Sequence, residues 1–139
     1  MKTIKYFVNS VMMLAVLSLA ICGCSDPDGL WDPMEWKAEV PMQIKNRVVN
    51  VPETGAELIF SCRNYSSPWI EVAEYNGERY APNSGMYPAL PDWFKAEMNG
   101  NKLTVLFEPN NTGEQRYIQL TVTAGDIFYT FKFKQSAIR

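Results

Sequence analysis

From Arg47 onward, apolar and polar residues alternate in short runs that turn residues cut apart at close intervals. Such a chain folds as strands or not at all, because side chains at i, i+2 and i+4 line one face of a strand. Ala56 to Arg63 alternates, and Pro52-Glu53-Thr54-Gly55 before it has the make-up of a tight turn. Lys102 to Glu108 sets Leu103, Val105 and Phe107 on one face, just after Asn99-Gly100, a strong hairpin signal. Trp36 to Val40, Arg47 to Val51, Trp69 to Tyr75, Asp92 to Met98, Tyr117 to Thr123 and Ile127 to Lys134 read as further strands. No segment keeps helical periodicity over ten residues. Seven or eight short strands at this spacing predict an all-β sandwich. In Trp69–Tyr75 either Ile70 and Val72 or Trp69, Glu71 and Ala73 face inward; the first choice buries no charge.

The first residues obey a different rule. Lys2 and Lys5 precede an apolar run from Val11 to Ile21, and Gly23 stands before Cys24. A charged start, a short apolar stretch and a small residue make a secretory signal, and the run is too short to span a membrane as a stable helix. The segment resembles a bacterial lipoprotein signal, in which the chain is cut before a cysteine that then receives lipid. Cys24 is the matching position, so residues 1–23 are expected to be removed and Cys24 acylated. Two or three acyl chains would hold the protein at the membrane permanently, where one holds only marginally. Residues 24–33 read as an acidic tether carrying Asp26 and Asp28. This stretch resembles the export signal of Bacteroidetes lipoproteins, which implies an outer-membrane protein facing the cell exterior.

The remaining 116 residues suffice for one domain, 34–139. Losing the signal takes two of 13 basic residues and none of 15 acidic ones, leaving a net charge of −4. With no basic stripe, nucleic acid is excluded as a partner. Cys22 leaves with the signal and Cys24 carries lipid, so Cys62 has no disulfide partner. Its place in an alternating run marks it as a small buried hydrophobe.

Several motifs fall in a recognisable order. They are Val51-Pro52-Glu53-Thr54-Gly55, Trp69-Ile70-Glu71-Val72, Trp93-Phe94, Asn110-Asn111-Thr112-Gly113-Glu114-Gln115-Arg116, Leu120 to Gly125, and Phe133-Lys134-Gln135-Ser136. Together they resemble a BACON domain (Bacteroidetes-associated carbohydrate-binding, often N-terminal) over about Val48 to Ala137. The resemblance implies an immunoglobulin-like β-sandwich, in agreement with the strand pattern, and carries a carbohydrate-binding role inferred for the family largely from its neighbours. Trp69 and Trp93, at strand starts, are expected to pack the core. Gly55, Gly113 and Gly125 are expected to supply unusual backbone angles, and Asn110 to bond turn backbone. Arg116 can pair with a carboxylate or cover the sheet with its stem.

The inventory of reactive groups is poor. The chain has no histidine, the commonest general base and metal ligand. No phosphate loop, zinc spacing or paired nucleophile and activator is present, so no enzyme, metal or cofactor is expected. Asn76 to Pro91 is the irregular segment, long and aromatic, and long loops in compact domains are commonly functional. Tyr75, Tyr80 and Tyr87, with Asn76, Glu78, Arg79 and Asn83, are the candidate ligand-binding residues, since flat rings suit the apolar faces of sugars. The same rings can instead fold down and cover the sheet. Two functions follow as expectations. One is a lipid-anchored surface domain binding glycans of host mucin or dietary polysaccharide. The other is a spacer, or a module contacting other surface proteins in an outer-membrane complex or adhesin.

Overall fold

The computed structural model describes residues 32–45, 47–82 and 86–138. The expected signal, Cys24 and Asn83 lie outside the described residues. Among the described residues ten strands follow one another: β1 (Trp36–Ala38), β2 (Gln43–Lys45), β3 (Val48–Val51), β4 (Ala56–Cys62), β5 (Trp69–Tyr75), β6 (Glu78–Tyr80), β7 (Phe94–Asn99), β8 (Lys102–Phe107), β9 (Arg116–Thr123) and β10 (Phe128–Gln135). They form an immunoglobulin-like sandwich of two sheets, ordered β1-β4-β8-β7 and β2-β3-β10-β9-β5-β6. Eight of the ten coincide with strands read from the alternation. The two additions, β2 and β6, have three residues each and lie at the two edges of the larger sheet.

The core lies where the alternating faces of the two sheets meet. Leu58, Phe60 and Cys62 of β4 and Leu103, Val105 and Phe107 of β8 face Val49 and Val51 of β3, Ile118, Leu120 and Val122 of β9, and Phe131 and Phe133 of β10. Rings interlock across the gap: Phe60 lies 4.7 Å from Phe131 and Phe107 lies 5.3 Å from Phe133. Each such ring contributes about 1.5–3 kcal/mol through removal from water. Cys62 is buried, as its place in the alternation requires, and its thiol is free. The chain is already docked before β1. Asn64 accepts from the Glu35 amide and donates to the Pro33 carbonyl, and the Tyr65 hydroxyl donates to the Asp32 carbonyl.

Two readings need correction. Trp69 does not pack the core; it is 48% exposed at the start of β5. A register shift between Ile70 and Val72 also breaks the simple alternation. The extra residue lets Ile70 and then Ala73 face the core, while Val72 is buried outside that cluster. Trp93 does pack against the core, with Tyr75 edge-on at 5.0 Å and the Arg116 guanidinium 4.5 Å from the ring centroid. Arg116 thus caps a ring rather than pairing with a carboxylate, and its Nη1 donates to Gln135 Oε1.

Candidate functional site

The irregular segment is more ordered than its composition suggests. Tyr75 pairs with Glu78, leaving Asn76-Gly77 as a two-residue loop with φ of +52° and +79°. Positive φ at both positions is the type I′ geometry that Asn-Gly favours, and its twist suits a hairpin. β6 therefore returns along β5, placing Glu74 opposite Arg79 and Ala73 opposite Tyr80. An ion pair of 3.4 Å joins Arg79 to Glu74, and the Arg79 guanidinium stands 5.4 Å from the Tyr87 ring centroid. The Tyr80 hydroxyl donates to Glu78 Oε2 at 2.7 Å. That bond to a carboxylate, with some loss of hydration and the Glu78 charge, raises the Tyr80 hydroxyl above its ordinary 10.0.

The hairpin brings Tyr75, Tyr80, Tyr87, Glu78 and Arg79 into one neighbourhood. All three rings are half-buried, and Tyr75 and Tyr80 pack on the core. Asn76, Glu78 and Arg79 are exposed. Here the three described rings are partly packed and keep part of their surface open.

Open aromatic surface also occurs elsewhere. Where β1 and β4 face β3 and β10, the sheets part around a cleft of about 440 Å³. That is within the range of small-ligand pockets. Trp36, Phe60, Tyr129 and Phe131 form its walls, with Ala38, Val49 and Thr130 between them. Phe131 is the hub, with Trp36 edge-on at 5.1 Å and Tyr129 edge-on at 4.8 Å. Tyr129 stays 39% exposed at the strand's first turn of alternation, where the sandwich is open. The Trp36 Nε1 is buried with no hydrogen-bond partner among the described residues. A buried donor left unmatched carries a desolvation penalty of about 1–3 kcal/mol, so the fold tolerates a group here that it does not use.

Arg47 stands at the rim. Lys45 pairs with Val48, and Arg47 lies between them in the connection from β2 to β3. Arg47 takes a φ of +63°, a left-handed conformation in which side chains other than Gly, Asn and Asp are uncommon. Lys132 also borders the cleft, yet alternation sends its side chain to the face of β10 opposite Phe131. There it borders a shallow depression with Tyr117 and Gln119. No carboxylate lines the cleft, and no cluster of metal-ligating side chains occurs among the described residues.

These residues escape a reading by segments. Trp36, Arg47, Phe60 and Tyr129 come from four separate stretches, and each looks like an ordinary strand or turn position on its own. One signal was present: Tyr129 shares parity with Phe131 and Phe133, so it must face inward at a strand end.

Comparison with known proteins adds a relative. No family model and no curated protein matches the chain. Two solved titin-related domains are similar at low identity. The M1 domain of titin is 4% identical over 76% of this chain and 95% of its own, with a TM-score of 0.48. A chain of the complex of titin M10 with the obscurin-like 1 Ig domain is 13% identical over 66% of this chain and 84% of its own, with a TM-score of 0.44. A protein of Bacteroides thetaiotaomicron, with a structure determined by NMR, is 36% identical over 85% of this chain and 98% of its own, with a TM-score of 0.68. At that identity, over nearly the whole of the relative, the chain belongs to the same family as this Bacteroides protein.

Proposed function

We propose that this chain is a BACON-like surface lipoprotein, anchored in the outer membrane through Cys24 and facing the exterior, that binds glycan without cleaving it. The observation that carries the proposal is the cleft between the sheets, with its aromatic walls and open tyrosine. Sugar rings bring apolar C–H faces that suit the exposed Tyr129 ring, and hydroxyl oxygens that accept from Arg47 at the rim. Glycoside hydrolysis ordinarily needs two carboxylates flanking the bond. The cleft has none in its lining, which fits retention of the ligand and not its cutting. Host mucin and dietary polysaccharide are the glycans that such a location would meet.

The test is a glycan array probed with the full-length protein and with Tyr129→Ala. The variant should lose the array signal while remaining folded, because Tyr129 is partly exposed and its ring contacts account for only about 1 kcal/mol each. An array without signal, or signal that survives Tyr129→Ala, would reject this site. Cys24→Ala should leave the protein unlabelled by a palmitate analogue and free of membranes; continued labelling would displace the anchor from Cys24.

A second reading has its own observation. Trp69 and Phe128 both pair with Thr123, so they flank it on the outer face of the larger sheet, 48% and 58% exposed. Exposed aromatics on a sheet face suit a protein partner, as a spacer or assembly module would have.

A further inference from the structure

Resting on the reading that the cleft holds a sugar, we infer that the sugar is anionic, bearing a carboxylate or sulfate that Arg47 receives at the rim. Three observations converge. First, Arg47 occupies a hairpin position that favours glycine. It lies between Lys45 and Val48, which pair, as Gly77 lies between the paired Tyr75 and Glu78. Its φ of +63° is one that a glycine would adopt without strain. An arginine held there at a conformational penalty points to a use for its side chain.

Second, the guanidinium has no ion pair among the described residues, and its exposed side chain stands beside the aromatic walls. Third, no acid lines the cleft, although the chain as a whole has more acids than bases. A neutral sugar would gain from carboxylate acceptors for its hydroxyls, whereas an anion would be repelled by them. A planar guanidinium matches a carboxylate or sulfate through paired N–H donors. The charged group would sit at the rim, partly in water, while the ring lies on Tyr129.

The experiment is calorimetric titration of the full-length protein in detergent with three matched pairs. They are oligogalacturonate and its methyl ester, chondroitin sulfate and unsulfated chondroitin oligosaccharide, and sialyllactose and lactose. At least one charged member should bind about tenfold more tightly than its neutral counterpart, with an advantage that fades as salt is raised. Arg47→Gly should erase that advantage with an unfolding temperature unchanged or raised, since glycine suits the backbone. Tyr129→Ala should weaken charged and neutral members alike. If neutral members bind as well as charged ones, or Arg47→Gly leaves the preference intact, the anionic assignment fails. Tyr129-dependent binding of the neutral sugars would still uphold the cleft. If no saccharide binds in these titrations or on the array, both readings fall. Arg47-dependent binding of polyglutamate with no sugar bound would overturn the assignment in favour of an acidic peptide.

Discussion

Asn110 offers the sharpest test of how the loops are held. It is fully buried, and its amide group makes four hydrogen bonds. Nδ2 donates to the carbonyls of Glu114 at 2.8 Å and Ser136 at 3.0 Å. Oδ1 accepts from the Thr112 amide at 3.3 Å and the Thr112 hydroxyl at 2.7 Å. Its own amide donates to the Glu53 carbonyl, and its carbonyl accepts from the Ile138 amide. One residue therefore joins the β3–β4 turn, the β8–β9 turn and the segment after β10. At about 1 kcal/mol net per bond, the side chain is worth roughly 4 kcal/mol. Thr112 and Glu114 are exposed and recover water, so Asn110→Ala should cost about 2–3 kcal/mol. Asn110→Asp keeps the shape but turns an oxygen toward two carbonyls. Burial and those carbonyls would raise the new carboxyl above the usual value of about 3.9. The unfolded state then binds fewer protons than the folded one above that value, so the penalty deepens as pH rises. Urea unfolding followed by circular dichroism should show Asp worse than Ala at neutral pH and no worse near about pH 4. A loss below about 0.5 kcal/mol for Ala, or an Asp penalty independent of pH, would refute the assignment of these bonds.

Further predictions follow the same logic. Gly55→Ala should destabilise by about 3 kcal/mol in urea, because φ is +85° and a Cβ would collide with the Phe107 carbonyl oxygen. Trp93→Ala should cost about 3 kcal/mol or more, while Trp69→Ala should stay within about 0.5 kcal/mol; equal losses would contradict their placement. Glu78→Gln should bring the Tyr80 hydroxyl down toward its ordinary 10.0, read by phenolate absorbance against a Tyr80→Phe control. In the unaltered protein, the contribution of that bond persists below about pH 10 and is lost as pH rises through the raised Tyr80 value.

The strands that carry the core are legible in the sequence because each is long enough for two or more alternations. β4 shows Leu58, Phe60 and Cys62 inward, and β8 shows Leu103, Val105 and Phe107. β2 and β6 are hidden because each carries a single apolar residue, whereas β1, equally short, continues an alternation of Trp36, Ala38 and Val40. The Asn76-Gly77 dipeptide did mark the β5–β6 hairpin, but the prolines beyond it obscured the signal. Trp69 and Trp93 look equivalent as residues that begin strands. Their fates differ because pairing with Thr123 puts Trp69 on the outer face, while Trp93 precedes β7 and turns toward Tyr75 and Phe107. The cleft is legible only from the sheet order, which brings Trp36 to within 6.2 Å of Tyr129 although 93 positions separate them. Tyr75, Tyr80 and Tyr87 form a cluster that the sequence did suggest, but half-buried.

The parallel pairing of β3 with β10 has a mechanical meaning. Val48 lies beside Lys132 and Val51 beside Gln135, and the Ser136 amide bonds the Val51 carbonyl to lengthen the ladder. A pull applied before Val48 and after Ser136 acts at opposite ends of this ladder and along its axis. β2, antiparallel to β3, would peel away one bond after another under such a load. The β3–β10 bonds would instead bear it together, in shear, and have to rupture nearly at once. Gln135 reinforces the same end, its Nε2 donating to the Glu108 carbonyl at 2.8 Å across to the other sheet. A domain pulled at these two points would yield its outer strands early and its centre late.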